Sequence, residues 1–213
     1  VRVAATNDFT NMKPALRLAV CLMSPPVVLA KWRALVPFLH AANIGPHAVL
    51  LDVGANDGSF SRLVMRLLCN PRYGTPNLCC ANNTSVNSIS VVAVEPQPQF
   101  RRALQTLATT NHLCPSHEYE FVPAAAWTAD TNLTFVRRRD SRASSPEDAF
   151  AEKMTAISTT AVPAFDLAAF MRARLRWGDA NYLKLDVESS EYTLLPHLIG
   201  QSALCPFDAI FVE

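Results

Sequence analysis

"VLLDVGANDGSF", residues 49–60, places two of the chain's six glycines four positions apart, directly after an apolar run. Val49-Leu50-Leu51 is continuous and apolar, as expected of a strand buried on both faces. From Ser59 the period changes: Phe60, Leu63, Val64, Leu67 and Leu68 share one helical face, which predicts a helix over Ser59–Leu68. Between the two, Gly54 permits a sharp turn with no Cβ in the way, and Gly58 lets the helix start close to sheet and ligand. Strand, glycine turn and helix in that order open a β-α-β unit.

The same alternation continues outward. "SVVAVEP" (90–96) reads as a second strand ending at Glu95-Pro96, and Gln97 to Asn111 as a helix with Phe100, Ala103, Leu104, Leu107 and Ala108 on one face. "YEFVPAAAW" (119–127) reads as a third strand and "NLTFVRR" (132–138) as a short extra one. Asp166 to Arg176 then reads as a helix stopped by Gly178, "NYLKLDVE" (181–188) as a strand, Tyr192 to Ile199 as a short helix, and "FDAIFVE" (207–213) as the last strand. Residues 70–88 and 137–160 read as polar loops. The expected fold is α/β, a doubly wound, mostly parallel Rossmann-like sheet with its ligand beyond the C-terminal strand ends, where strand order reverses.

Composition narrows the class. Of 213 residues half are hydrophobic and 17% are charged, and the formal net charge is +1, which suits one globular domain and gives no basic excess for nucleic acid. Arg137-Arg138-Arg139 with Arg142 reads as a solvated loop. Six cysteines without a C-x-x-C pair make neither a disulfide scaffold nor a zinc site, and the five histidines have no metal-ligand spacing. No metal site is expected from them.

Residues 1–47 are read as an N-terminal helical segment ahead of a domain at 48–213. Within that segment, "MKPALRLAVCLMSPPVVLA" (12–30) has the basic start and short apolar centre of a secretory signal. The helical reading and a cytoplasmic location are preferred, with the secretory pathway left open by this stretch and by glycosylation triplets at Asn82, Asn83 and Asn132. The apolar run is too short and interrupted to span a bilayer. Oligomeric state is not legible.

The chemistry lies at the strand ends. The spacing G-x-x-x-G is neither the G-x-G-x-x-G of dinucleotide binders nor a phosphate loop with its lysine. Asp52 ends the first strand and Asp57 lies in the turn. Carboxylates there would repel a pyrophosphate but attract a ligand carrying an ammonium and a sulfonium, which points to S-adenosylmethionine. Glu95, ending the second strand, can accept hydrogen bonds from both ribose hydroxyls.

"LLDVGANDGSF", "VVAVEPQPQF" and "YLKLDVESSEY" together resemble the FkbM family of class I S-adenosylmethionine-dependent methyltransferases, over residues 49–213. The third stretch matches a K-I-D-V-E-G-x-E pattern through Lys184, Asp186, Val187, Glu188 and Glu191. The resemblance implies cofactor contacts from Asp52, Gly54, Ala55, Asn56 and Gly58 around the methionine part. It implies Glu95 with Pro96 at the ribose, and Ala125 and Ala126 near adenine. It also implies O-methylation of a hydroxyl on a sugar or other small natural product, with a small-molecule or glycan acceptor. Ser189 stands where the family pattern has glycine, a position expected to need positive φ. The chain ends on what reads as the fifth strand, so a sequence truncated at that end is expected.

Asp186, Glu188 and Glu191 are the candidate reacting centre. A carboxylate there could act as general base toward an alcohol, or the cluster could hold a divalent cation. Glu191 also fits ordinary first-turn helix chemistry. Two other functions stay open: a catalytically silent Rossmann-like binding domain, and an NAD(P)-dependent oxidoreductase, which the missing third glycine disfavours.

Overall fold

A computed structural model describes residues 27–29, 47–68, 88–110, 117–137, 144–146, 158–176 and 179–213. The first βαβ unit is β2 (His47–Val53), α1 (Ser59–Leu68) and β3 (Ser88–Val94), followed by α2 (Pro98–Thr110) and β4 (His117–Val122). Farther along come α3 (Leu167–Arg174), β9 (Ala180–Leu185), α4 (Glu191–Gly200) and β10 (Ala209–Val212). With β1 (Val27–Leu29) at its edge, this set forms a six-stranded parallel sheet in the order β1-β10-β9-β2-β3-β4. From β2 the chain winds outward through β3 and β4, then returns to the other side of β2 as β9. The β2–β9 boundary is therefore the switch point.

Period-two alternation divides the core between the sheet's two faces. Ala48 and Leu50 of β2, Ile89 and Val91 of β3 and Tyr182 of β9 pack with Val64 and Met65 of α1 and Leu104 of α2. Val49, Leu51 and Val53 of β2 with Leu183 and Leu185 of β9 turn the other way, onto Leu167 and Met171 of α3 and Leu194 and Leu198 of α4. Each fully buried leucine contributes about 1.5–3 kcal/mol, so the alternation holds the strand ends in register.

Caps set the helix starts. The Asp57 carboxylate accepts the Ser59 N–H at 3.0 Å, and Asp166 accepts the Ala169 N–H at 3.1 Å. Pro98 opens α2, where its missing N–H costs nothing.

Three expectations need correction. "YEFVPAAAW" is two strands, β4 and β5 (Ala125–Trp127), because Pro123 has no N–H for a ladder and Ala124 N turns back to the Val122 carbonyl at 3.0 Å. The 137–160 stretch is not all loop. Ser144–Pro146 forms β7 and Ser158–Asp166 forms β8, which pair with β6 (Thr131–Arg137) in a second sheet ordered β5-β8-β6-β7. Polar residues stand on such a strand because one of its faces stays wet. Its inner residues Val162 and Ala164 pack with Ala125, Trp127, Leu133 and Phe135. Finally, the described part of the 1–47 segment is strand, not helix: Val27–Leu29 ladders in parallel along β10, whose backbone edge it satisfies. The remaining residues read as signal-like, the 70–87 loop and Gly178 lie outside the described residues. Among the described residues no helix is long and apolar enough to cross a membrane.

Candidate active site

The switch point opens into a cleft of about 440 Å³ at the C-terminal ends of β2, β3 and β9, with β5 and Phe135 of β6 closing one side.

The glycine turn forms the floor. Gly54 has φ +80°, and its N–H reaches the Val94 carbonyl at 3.0 Å. A Cβ at Gly54 would sit 1.7 Å from the Asp186 carbonyl oxygen. Glycine is thus obligatory here because the ends of β2 and β9 touch. Gly58, φ +74°, serves a different contact: its Cβ would meet Leu107 at 2.4 Å and Leu104 at 3.0 Å, both on α2. That glycine lets α1 and α2 close up, and it does not line the cleft.

Glu95 forms the β3 wall and is only 2% exposed. Its two oxygens accept the Asn56 and Gln97 amides, each at 2.9 Å, which fixes the carboxyl group in the cleft. Burial pushes its pKa up to about 7, although both amide bonds and Lys184 pull the other way. Asn56, at φ +50°, turns its Nδ2 to the Gly54 carbonyl at 3.3 Å and leaves Oδ1 buried without a hydrogen-bond partner.

The β9 wall is Asp186, Val187, Glu188 and Ser190. Asp186 Oδ2 is ion-paired with Lys184 Nζ at 3.0 Å. Glu188 and Ser189 are consecutive left-handed residues, φ +52° and +75°, so the turn does demand the conformation that glycine prefers. Partial burial, then the charges of Asp186, Glu191 and Glu213, hold the Glu188 carboxyl above its ordinary range. Ser190 stands at the N-cap of α4, yet its hydroxyl makes no cap bond and is buried without a partner. Glu191 is instead the local clamp, its Oε1 accepting the Val187 N–H at 2.5 Å.

Of the residues singled out in the sequence, Gly54, Asn56, Glu95, Pro96, Ala125, Ala126, Asp186 and Glu188 converge on the cleft. Asp52, Ala55, Gly58 and Glu191 do not. Asp52 is fully buried, with Oδ2 taking the Ser61 hydroxyl at 2.5 Å and Oδ1 ion-paired with Lys184 at 3.4 Å. The reason is parity: Asp52 follows Ala48 and Leu50 on the α1 face, so its side chain enters the sheet–helix layer instead of crossing the strand tip. Gln97, Phe135 and Ser190 are cleft residues that the sequence reading did not single out. Ser190 had a signal, its place within the acidic stretch. Phe135 had none, because it arrives from the second sheet. Among the described residues no group of His, Cys, Asp or Glu could hold a metal ion.

The described residues form a crevice at the switch point of a doubly wound sheet, floored by a strand-end glycine and walled by carboxylates, with no lysine among those that line it. That combination defines a Rossmann-like methyltransferase. The chain belongs to the FkbM methyltransferase family, whose model, "Methyltransferase FkbM domain", matches residues 52–213. It is a methyltransferase. No curated protein and no solved structure matches it.

Proposed function

We propose that this methyltransferase takes its methyl group from S-adenosylmethionine and transfers it to a hydroxyl of a sugar or other small natural product. The observation that carries the donor reading is the set of carboxylates lining one cleft, with Glu95 held there by two backbone amides and Asp186 and Glu188 on the opposite wall. A carboxylate has more acceptor sites than two amide bonds fill, so these side chains can take further donors from a polar ligand. An α-ammonium and a ribose diol supply such donors. When bound, the donor would supply an activated methyl group on a sulfonium.

In this reading Glu95, already oriented by two amides, accepts from the ribose hydroxyls, and Pro96 and Gln97 border that end. Asp186, Asn56 and Ser190 hold the ammonium end, while Ala125 and Ala126 give the small apolar surface that an adenine ring needs. Glu188 takes the proton from the acceptor hydroxyl, a role that its raised pKa favours. Most of the remaining work is positional, because methyl transfer is an in-line displacement.

Calorimetric titration with S-adenosylhomocysteine, followed by label transfer from S-adenosyl[methyl-¹⁴C]methionine to a panel of hydroxyl acceptors, tests the reading. Saturable binding and labelled product support it. No binding at millimolar ligand by the folded protein removes it.

For location, one observation favours the secretory pathway over the cytoplasm: Cys205 is disulfide-bonded, and such bonds persist in oxidising compartments. Peptide mapping of protein from its native source, with and without reduction, decides it. A free Cys205 thiol returns the reading to the cytoplasm.

A further inference from the structure

Lys184 lies on the second-to-last strand of the sheet, on the α1 face, with its side chain 6% exposed. Its ammonium donates to the Gly54 carbonyl at 2.9 Å, and is ion-paired with Asp186 Oδ2 at 3.0 Å and with Asp52 Oδ1 at 3.4 Å. Below it the Phe60 ring centroid is 5.5 Å away, and Phe60 stacks on Phe211 at 6.0 Å. Asp52 is in turn held by the Ser61 hydroxyl. A continuous polar chain therefore runs Ser61–Asp52–Lys184–Asp186, and only its last member reaches the cleft.

Two carboxylates share one ammonium. Burial drives the Lys184 pKa down, but Asp52 and Asp186 outweigh it and hold it above the ordinary value, so the lysine stays charged. With Asp52 drawing on the same ammonium, the triad keeps a net negative charge and its exposed end is the cleft carboxylate.

We propose that Lys184 and Asp52 are positioning residues. Their buried ion pair ties the Gly54 turn to the Asp186 carboxylate and sets the negative charge of the cleft, without either side chain touching the ligand. As far as the ligand is the cationic methyl donor, this rests on the reading given above.

The groups that face Glu95 are the Asn56 and Gln97 amides, Lys184 from β9 and Asp52 from β2. Those that face Glu188 are Asp186 and Lys184 from the β9 segment, Glu191 from α4 and Glu213 after β10. Lys184 pulls the Glu95 titration down and Asp52 pushes it up. The two members of the pair should therefore act on the Glu95 titration with opposite signs, and the positioning role is read from ligand affinity in the double variant, where the two charges cancel.

The test has a readout without ligand. Carbon-13 NMR titration of the Glu95 carboxyl is compared among wild type, Lys184→Met and Asp52→Asn. The expected result is a midpoint raised in Lys184→Met and lowered in Asp52→Asn, each by about half a pH unit or more. Shifts in the same direction, or none, overturn the proposal. If a single variant does not fold, Asp52→Asn/Lys184→Met, which leaves no uncompensated buried charge, carries the test. It should keep the Glu95 midpoint near wild type yet bind S-adenosylhomocysteine roughly tenfold or more weakly, because Asp186 has lost its tether. Wild-type affinity in that variant also overturns the proposal. If wild-type protein binds no S-adenosylhomocysteine at all, the donor reading fails while the Glu95 titration still decides the role of the pair.

Discussion

Asp52 and Lys184 are register partners on adjacent parallel strands, their charged ends 3.4 Å apart beneath the glycine turn. The pair joins β2 to β9, which leads directly into the turn of Asp186 and Glu188. Burying two ions costs several kcal/mol each, and only their mutual attraction with good further partners offsets this.

Breaking that pair from one side should therefore be expensive. Lys184→Ala strands the Asp52 carboxylate in the core and should cost about 3–5 kcal/mol. Asp52→Asn/Lys184→Met should cost much less. Urea unfolding of the three proteins checks the order, and equal losses in the single and double variants would contradict it.

The turn glycines should separate by function. Gly54→Ala meets both a left-handed φ and the Asp186 backbone, so a loss of at least about 3 kcal/mol, with loss of ligand binding, is expected. Gly58→Ala meets the ends of two leucine side chains, which can yield. It should cost about 1–2 kcal/mol and leave S-adenosylhomocysteine affinity close to wild type in the folded protein. Thermal unfolding and calorimetry measure the two effects.

Glu95 gives stability a pH dependence of known sign. Its pKa rises from 4.5 to about 7 on folding, so the native state binds the extra proton between those values. Stability of the ligand-free protein is then greatest below pH 4.5 as far as this group is concerned. It falls by roughly 3 kcal/mol as pH rises through 7, and is level above that. Glu95→Gln should abolish this component, read as the difference between the two proteins' denaturation midpoints across pH 4–8.

With Glu188 as the proposed general base, the acid limb of the rate should follow its carboxyl. Because its carboxyl titrates above the ordinary range, methyl transfer should begin to fall at a higher pH than a free glutamate base would give. Glu188→Gln should lower kcat by about a hundredfold or more and remove the limb, with donor affinity kept. A variant with wild-type kcat would return the base role to Asp186.

Ser189 adopts φ +75° on the exposed side of the same turn. Ser189→Gly should stabilise the protein by about 1 kcal/mol, the left-handed penalty less the extra freedom of an unfolded glycine. A destabilised variant would show that the serine side chain contributes something beyond its backbone.

Much of the fold was readable because burial writes a period into the chain. The continuous apolar run of β2 and the helical face of α1 are local, and the observed helix matches Ser59–Leu68 at both ends. β8 was missed for the converse reason. "STTAVPAFD" carries a proline and threonines, and becomes a strand through its antiparallel ladder with β6 rather than by its own pattern. The caps were half-legible: Asp166 falls where a helix should start, but that Ser190 occupies an N-cap without capping is decided by the turn before it.

By itself the sequence determined the doubly wound order, the glycine turn and the set of strand-end acids, since each follows from side-chain size, φ preference or burial period within one β-α-β unit. Tertiary structure alone decided which acids face the cleft. Asp52 and Glu95 look alike in sequence, each an acid closing an apolar strand. Asp52, still inside the ladder, is turned by strand parity into the layer beneath α1, where Lys184 receives it. Glu95, one residue beyond its ladder, is turned outward by two amide bonds. Two positions of register, of equal parity, separate Asp52 from Glu95, so the end of the ladder decides the two fates, and where a ladder ends is a property of paired strands.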